Sequence, residues 1–170
     1  NITVLDLRDT KLSASFNSSN PVPVNLVTFQ LLSNPNFTGN LTPTSGALRT
    51  VYLSNTGFTG TLTLPSGLTT LSMDHNTGIT GTLDLPSTLT GQLTISSSGI
   101  SGTLTIPSGV LYININNISG ITSIATAVHV NRTLVSSSND KTSIDILNKA
   151  TDEEKSDGSK IHTREQKIHI

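Results

Sequence analysis

The chain has no cysteine, no tryptophan and a single methionine, and only 12% of its 170 residues are charged. Without cysteine there can be no disulfide, no thiolate metal site and no sulfur nucleophile. Aromatic residues make up 4%, so a core has to be assembled from aliphatic side chains at regular spacing. Between Leu12 and Asn131 the only lysine or arginine is Arg49. Phosphate neutralisation needs clustered cations, so no nucleic-acid partner is expected. Apolar runs fall far short of the ~20 residues of a membrane-spanning helix, and no membrane insertion is expected. A signal-peptide pattern is missing and the first residue is not Met. The opening NITVLDL already reads as a strand, so the chain is expected to be processed or to be the C-terminal part of something longer.

What the chain has in abundance is Ser, Thr, Gly and Asn, arranged in a repeat. Leu48 to Gly67, Leu68 to Thr88 and Leu89 to Gly109 are self-similar, with a period near 21 residues. Such a period marks a solenoid, in which one unit cannot bury its apolar side alone. Each unit opens with an alternating pair: Val51 and Leu53, Leu71 and Met73, Leu93 and Ile95, Ile113 and Ile115. Spacing of two puts each pair on one face of a strand. A turn follows at Asn55-Thr56-Gly57, Asn76-Thr77-Gly78 and Ser97-Ser98-Gly99.

A second run, Gly-Thr-Leu-x-Leu/Ile-Pro, begins at Gly60, Gly81 and Gly102 and reads as another strand ended by proline. Two strands per turn predict two parallel sheets around a narrow aliphatic core. No helical periodicity occurs between Thr28 and Ile121. Upstream, Leu5, Leu7, Leu12 and Phe16 fit the template with Ala14 at the glycine position. Downstream, Ile118 and Gly120 fit a shortened repeat, and Val128 and Val130 supply a last strand. About seven stacked strands result, roughly 30 Å of sheet at ~4.8 Å per strand.

These residues resemble the leucine-rich repeat family, whose pattern is L-x-x-L-x-L-x-x-N-x-L-x-G. Leu68, Leu71, Met73, Asn76, Ile79, Gly81, Leu83 and Pro86 match it nearly position for position. The resemblance spans about Asn1 to Asn131 and is specific in the three central repeats, of a short bacterial or phage-like type. It departs in leaving no room for a convex helix and in having Ser98 near the expected Asn. It implies a right-handed β-solenoid that acts as a binding scaffold.

Beyond Asn139 the composition changes: 13 of the 21 charged residues lie in Asp140 to Ile170. Ser143 can N-cap a helix from Ile144 to about Lys155, and Asp157-Gly158 reads as a turn before a final strand. The expected organisation is a solenoid over 1–139 and a capping helix and strand over 140–170. No matching cap precedes Ile2, so upstream chain or another subunit is expected over that edge.

If the resemblance holds, the ligand face is the outward side of the first sheet. Its positions are Asp6, Arg8, Gln30, Tyr52, Ser54, Ser72, Asp74, Thr94, Ser96, Tyr112, Asn114, Asn116, His129 and Asn131. Tyr52 and Tyr112 stand out because tyrosine favours binding surfaces. The alternative is a merely soluble sheet face. Thr61 and Thr63, Thr82 and Asp84, and Thr103 and Thr105 form a column resembling ice-binding surfaces, or simply reflect the β-propensity of threonine.

Asn-x-Ser/Thr sequons at Asn1, Asn17, Asn36, Asn40, Asn117 and Asn131 are as frequent as this composition produces by chance. No cofactor or metal site and no catalytic group is indicated, since Asp74 and His75 are consecutive strand residues pointing to opposite faces. The expected role is non-enzymatic recognition or display, extracellular or on a surface or virion appendage, binding a protein or glycan or neighbouring fibre subunits. A purely structural fibre or coat role is the rival, and the cysteine-free composition leans toward a microbial or viral source.

Overall fold

The computed structural model describes residues 2–17, 19, 21–40, 46–126 and 134–135. The chain winds through about six turns of a β-solenoid with parallel sheets, and the described residues contain no helix. The strands are β1 Val4–Asp6, β2 Ala14–Phe16, β3 Thr28–Gly39, β4 Thr50–Phe58, β5 Thr70–Asp74 and β6 Thr80–Gly81. They continue with β7 Gln92–Ser96, β8 Gly99–Ile100, β9 Gly102–Ile106, β10 Tyr112–Asn116, β11 Ile121–Thr126 and β12 Leu134–Val135.

The first sheet runs β1-β3-β4-β5-β7-β10-β12, with β2 paired to the far end of β3. Its parallel register aligns the apolar pairs read from the sequence. Leu5, Phe29, Val51, Leu71, Leu93 and Ile113 form one column. Leu31, Leu53, Met73, Ile95 and Ile115 form the next. From Phe29 onward both columns are buried in one continuous core, joined by Leu48, Leu68 and Leu89.

Three backbone devices repeat with the turns. At one corner of each turn the chain takes a left-handed residue, at Ser33 and Asn55 within β3 and β4 and at Asp9, His75, Ser97 and Asn117 past the strand, with φ between 47° and 57°. Positive φ is disfavoured for residues with a Cβ, so the corner is imposed by the stacking of turns as well as by residue type. Two or three residues past that corner, in four turns, Gly57, Gly78, Gly99 and Gly120 pass so close to the preceding turn that a side chain has no room. A Cβ on Gly78 would lie 2.5 Å from the Phe58 carbonyl oxygen. Four of the turns then close through a Pro-x-x-Leu/Val β-turn, where the Leu26, Leu68, Leu89 and Val110 amides bond to the Pro23, Pro65, Pro86 and Pro107 carbonyls.

The second side of the solenoid is less regular than two strands per turn. The run from Gly102 forms β9 and pairs with β11, but the equivalent residues 61–65 and 82–86 lie outside any strand. Between them and the first sheet, the short pairing of β6 with β8 and the bridge from Gly60 to Ile79 continue the row begun by β2, β3 and β4. Leu62, Leu83 and Leu104 still point into the core.

The ends depart in part from the repeat as read. In the first turn Ala14 pairs with Phe37 as Gly39, Gly60, Gly81 and Gly102 pair with Phe58, Ile79, Ile100 and Ile121, so Ala14 takes the glycine position as read. Leu12, however, is 53% exposed and outside the core. The four phenylalanines gather here, with Phe16 edge-on to Phe29 at 5.6 Å and near Phe37 and Phe58 at 6.0 and 6.1 Å. In the last described turn Gly120 approaches the Ile100 carbonyl as Gly99 approaches that of Ile79, and Ile121 is buried as Ile100 is. The turn is therefore not shortened. Leu134–Val135 pairs with Ile113–Asn114, one 21-residue step on. Val128 and Val130, the boundary at Asn139, and the helix and strand expected in 140–170 lie outside the described residues.

Candidate functional site

The outward face of the first sheet is polar because every second residue of each strand points away from the core. Register sorts it into columns. Asp6, Gln30, Tyr52, Ser72, Thr94 and Asn114 form one. Ser54, Asp74, Ser96 and Asn116 form a second, with Arg8 two residues beyond Asp6 on β1's side. Tyr112 stands in a third, beside Gln92.

Ser72, Thr94 and Ser96 are only 7%, 6% and 7% exposed although they point outward. This polar strip of short side chains, called the trough below, has Tyr52 at one end and Tyr112, one column over, at the other. β4 and β10 are three strand steps apart, so the tyrosines stand about 14 Å from each other along the axis. The structure thus places both on one face without bringing them together.

Hydrogen bonds fix most of the trough. The Ser96 hydroxyl donates to Asp74 Oδ1 at 2.7 Å, the Gln92 amide to Thr94 Oγ1 at 2.8 Å, and the Asn116 amide to Asn114 Oδ1 at 3.1 Å. Ser72 differs: its hydroxyl bonds to no described residue. At the first turn, Asp6 and Arg8 pair with each other at 2.8 Å, away from the trough. The bond to Asp6 and its charge raise the Arg8 pKa above its usual value, so the guanidinium stays charged. His129 and Asn131 lie outside the described residues, and the register puts Val135 beside Asn114.

A second polar constellation lies inside the corner and has a structural role. Asn76 is fully buried, and its amide donates to the Leu53 carbonyl at 2.6 Å and the Asp74 carbonyl at 3.1 Å. Its Oδ1 accepts from the Thr56 amide at 3.0 Å and the Thr56 hydroxyl at 2.6 Å. Asn34 repeats this toward the first turn, with Thr10 in the place of Thr56 and the carbonyls of Leu7 and Leu32 as acceptors. Ser98 occupies the next rung, and its buried hydroxyl has no partner among the described residues. Ile118 fills the rung after that. The Thr that receives each Asn was not singled out in the sequence, because the two Asn-Thr-Gly turns are offset by one residue and put Thr56 beside Asn76.

Among the described residues no three His, Asp or Glu side chains converge as metal ligands, and no helix is long and apolar enough to cross a membrane. On the second side, Thr103 and Ser123 share a hydrogen bond of 2.8 Å across β9 and β11. Thr61, Thr63, Thr82 and Asp84 are exposed but belong to no strand, so the column is not a flat rank. No protein-family model matches the chain, and no curated protein or solved structure matches it.

Proposed function

We propose that the chain is a non-enzymatic, leucine-rich-repeat-like recognition module that presents its first sheet to a protein or glycan. Its setting is extracellular, on a surface or virion appendage such as a phage tail or head fibre or a bacterial adhesin. The observation that carries this reading is the trough, a continuous polar strip of short side chains whose ends carry the chain's only tyrosines. The buried Asn76, at the Asn position of the repeat pattern, supports the family likeness.

The test is adhesion of the labelled chain to a panel of bacterial and eukaryotic cells, comparing the parent with Thr94→Arg, which fills the centre of the trough. Lost adhesion with unchanged thermal unfolding supports the reading. Equal adhesion by both proteins refutes the proposed face.

A purely structural role in a fibre or coat is favoured by a different observation. Among the described residues β1 pairs on one side only, and Ile2, Val4, Leu12 and Val24 of the first turns are all more than half exposed. An unpaired strand edge beside apolar residues is a template for another turn. Absence of adhesion to every cell type, together with concentration-dependent association of the chain, supports that role instead.

A further inference from the structure

We infer that the trough between Tyr52 and Tyr112 binds a neutral, unbranched polysaccharide laid along the solenoid axis. This inference rests on the recognition reading above and names its ligand class. Charge decides the first part. No lysine or arginine occupies an outward position from β3 to β10, and Asp74 is the one ionised group there. An acidic glycan would meet a carboxylate and no cation, whereas a neutral one meets hydroxyls and amides that can both donate and accept.

The arrangement of aromatics decides the second part. A protein partner draws most of its binding energy from large side chains clustered at the centre of an interface. Here the centre is Ser72, Thr94 and Ser96, and the two large rings stand at opposite ends. Tyrosine combines an apolar ring face with a polar tip, which suits the C–H face and hydroxyl rim of a pyranose. Neighbouring strands are ~4.8 Å apart, close to the length of one sugar residue in an extended chain. Successive strands therefore offer a polar group to successive sugars.

Ser72 supplies a third, independent observation. It registers directly with Tyr52, is more than nine-tenths buried, and has no partner for its hydroxyl among the described residues. Its oxygen still reaches solvent, since Ser98 Oγ is the one fully enclosed side-chain oxygen without a partner among the described residues, so it is open to a ligand. A ligand hydroxyl resting against the Tyr52 ring would bond to it. Asp74 is half-prepared in the same way: Ser96 holds Oδ1 and leaves Oδ2 to accept from the ligand.

The experiment is affinity electrophoresis of the purified chain in gels containing neutral polysaccharides (dextran, xylan, galactomannan, β-glucan) or acidic ones (alginate, hyaluronan). Titration calorimetry with oligosaccharides cut from any polymer that retards it follows. Retardation by at least one neutral polymer and by neither acidic one is expected. Oligosaccharides long enough to reach both tyrosines should bind at least about tenfold more tightly than disaccharides. Tyr52→Ala and Tyr112→Ala should each weaken binding about tenfold, and Ser72→Ala less, with unchanged thermal unfolding.

Retardation by acidic polymers alone, by none of the polymers, or equally in the tyrosine variants overturns the inference. Adhesion to cells that is abolished by protease treatment of those cells, without any retardation, also overturns it. That last result leaves the recognition reading standing with a protein as partner.

Discussion

Replacing Asn76 by alanine tests the logic of the whole corner. The fully buried carboxamide makes four hydrogen bonds, three of them closed to solvent and the fourth, to the Asp74 carbonyl, partly so. The Thr56 hydroxyl can turn to another acceptor, but the Thr56 amide and the carbonyls of Leu53 and Asp74 are fixed in the backbone. A buried group left without its partner costs about 1–3 kcal/mol. The amide carries that cost in full, and the carbonyls carry part of it because each has a second lone pair. The expected loss is therefore about 3–5 kcal/mol, a large share of the 5–15 kcal/mol that holds a typical domain together.

Urea unfolding followed by far-UV circular dichroism measures it. Ser98→Ala is the control, since it removes, from the next rung of the same corner, a buried hydroxyl that has no partner among the described residues. That variant should match or slightly exceed the parent in stability. Equal midpoints for Asn76→Ala and the parent, or equal losses in the two variants, would refute the hydrogen-bond account of the corner.

Leu83→Ala removes a buried side chain from the second run and should cost about 2–5 kcal/mol, read from the same urea transition. Gly78→Ala forces a methyl against the Phe58 carbonyl and should destabilise by about 1–3 kcal/mol, whereas Gly46→Ala, with open space around it, should be neutral by thermal unfolding. His75→Asn keeps a polar residue at a left-handed corner but one better suited to φ 55°, and should raise stability by up to about 1 kcal/mol by differential scanning calorimetry.

The central turns were legible because their signal is local and repeated. Val51 and Leu53, and their counterparts through Ile115, alternate within strands and recur at a near-constant step, and each occupies the core position that alternation assigns. The face residues from Gln30 to Asn116 follow from the same alternation.

What sequence could not deliver depends on neighbours in space. Leu12 fits the local pattern yet lies outside the core, because β2 pairs with the far half of a long β3 and begins only at Ala14. The corner residues Asp9, Ser33, Asn55, His75, Ser97 and Asn117 share a conformation but not a residue type, so they did not announce themselves. Burial of Ser72 and Thr94 on an outward face depends on flanking side chains. The second run looked like a strand in every repeat, yet regular pairing develops only between β9 and β11, since alternation specifies which side faces inward and says nothing of hydrogen bonds.

The parallel stacking of turns also sets how the molecule responds to load. Tension applied along the axis pulls across the strand ladder, so the bonds between one turn and the next open in sequence instead of sharing the force. Each 21-residue turn that peels away releases about 70 Å of extended chain. A solenoid anchored at one end and gripped at the other would thus lengthen in steps at modest force, while a sideways pull across the trough would leave the ladder closed.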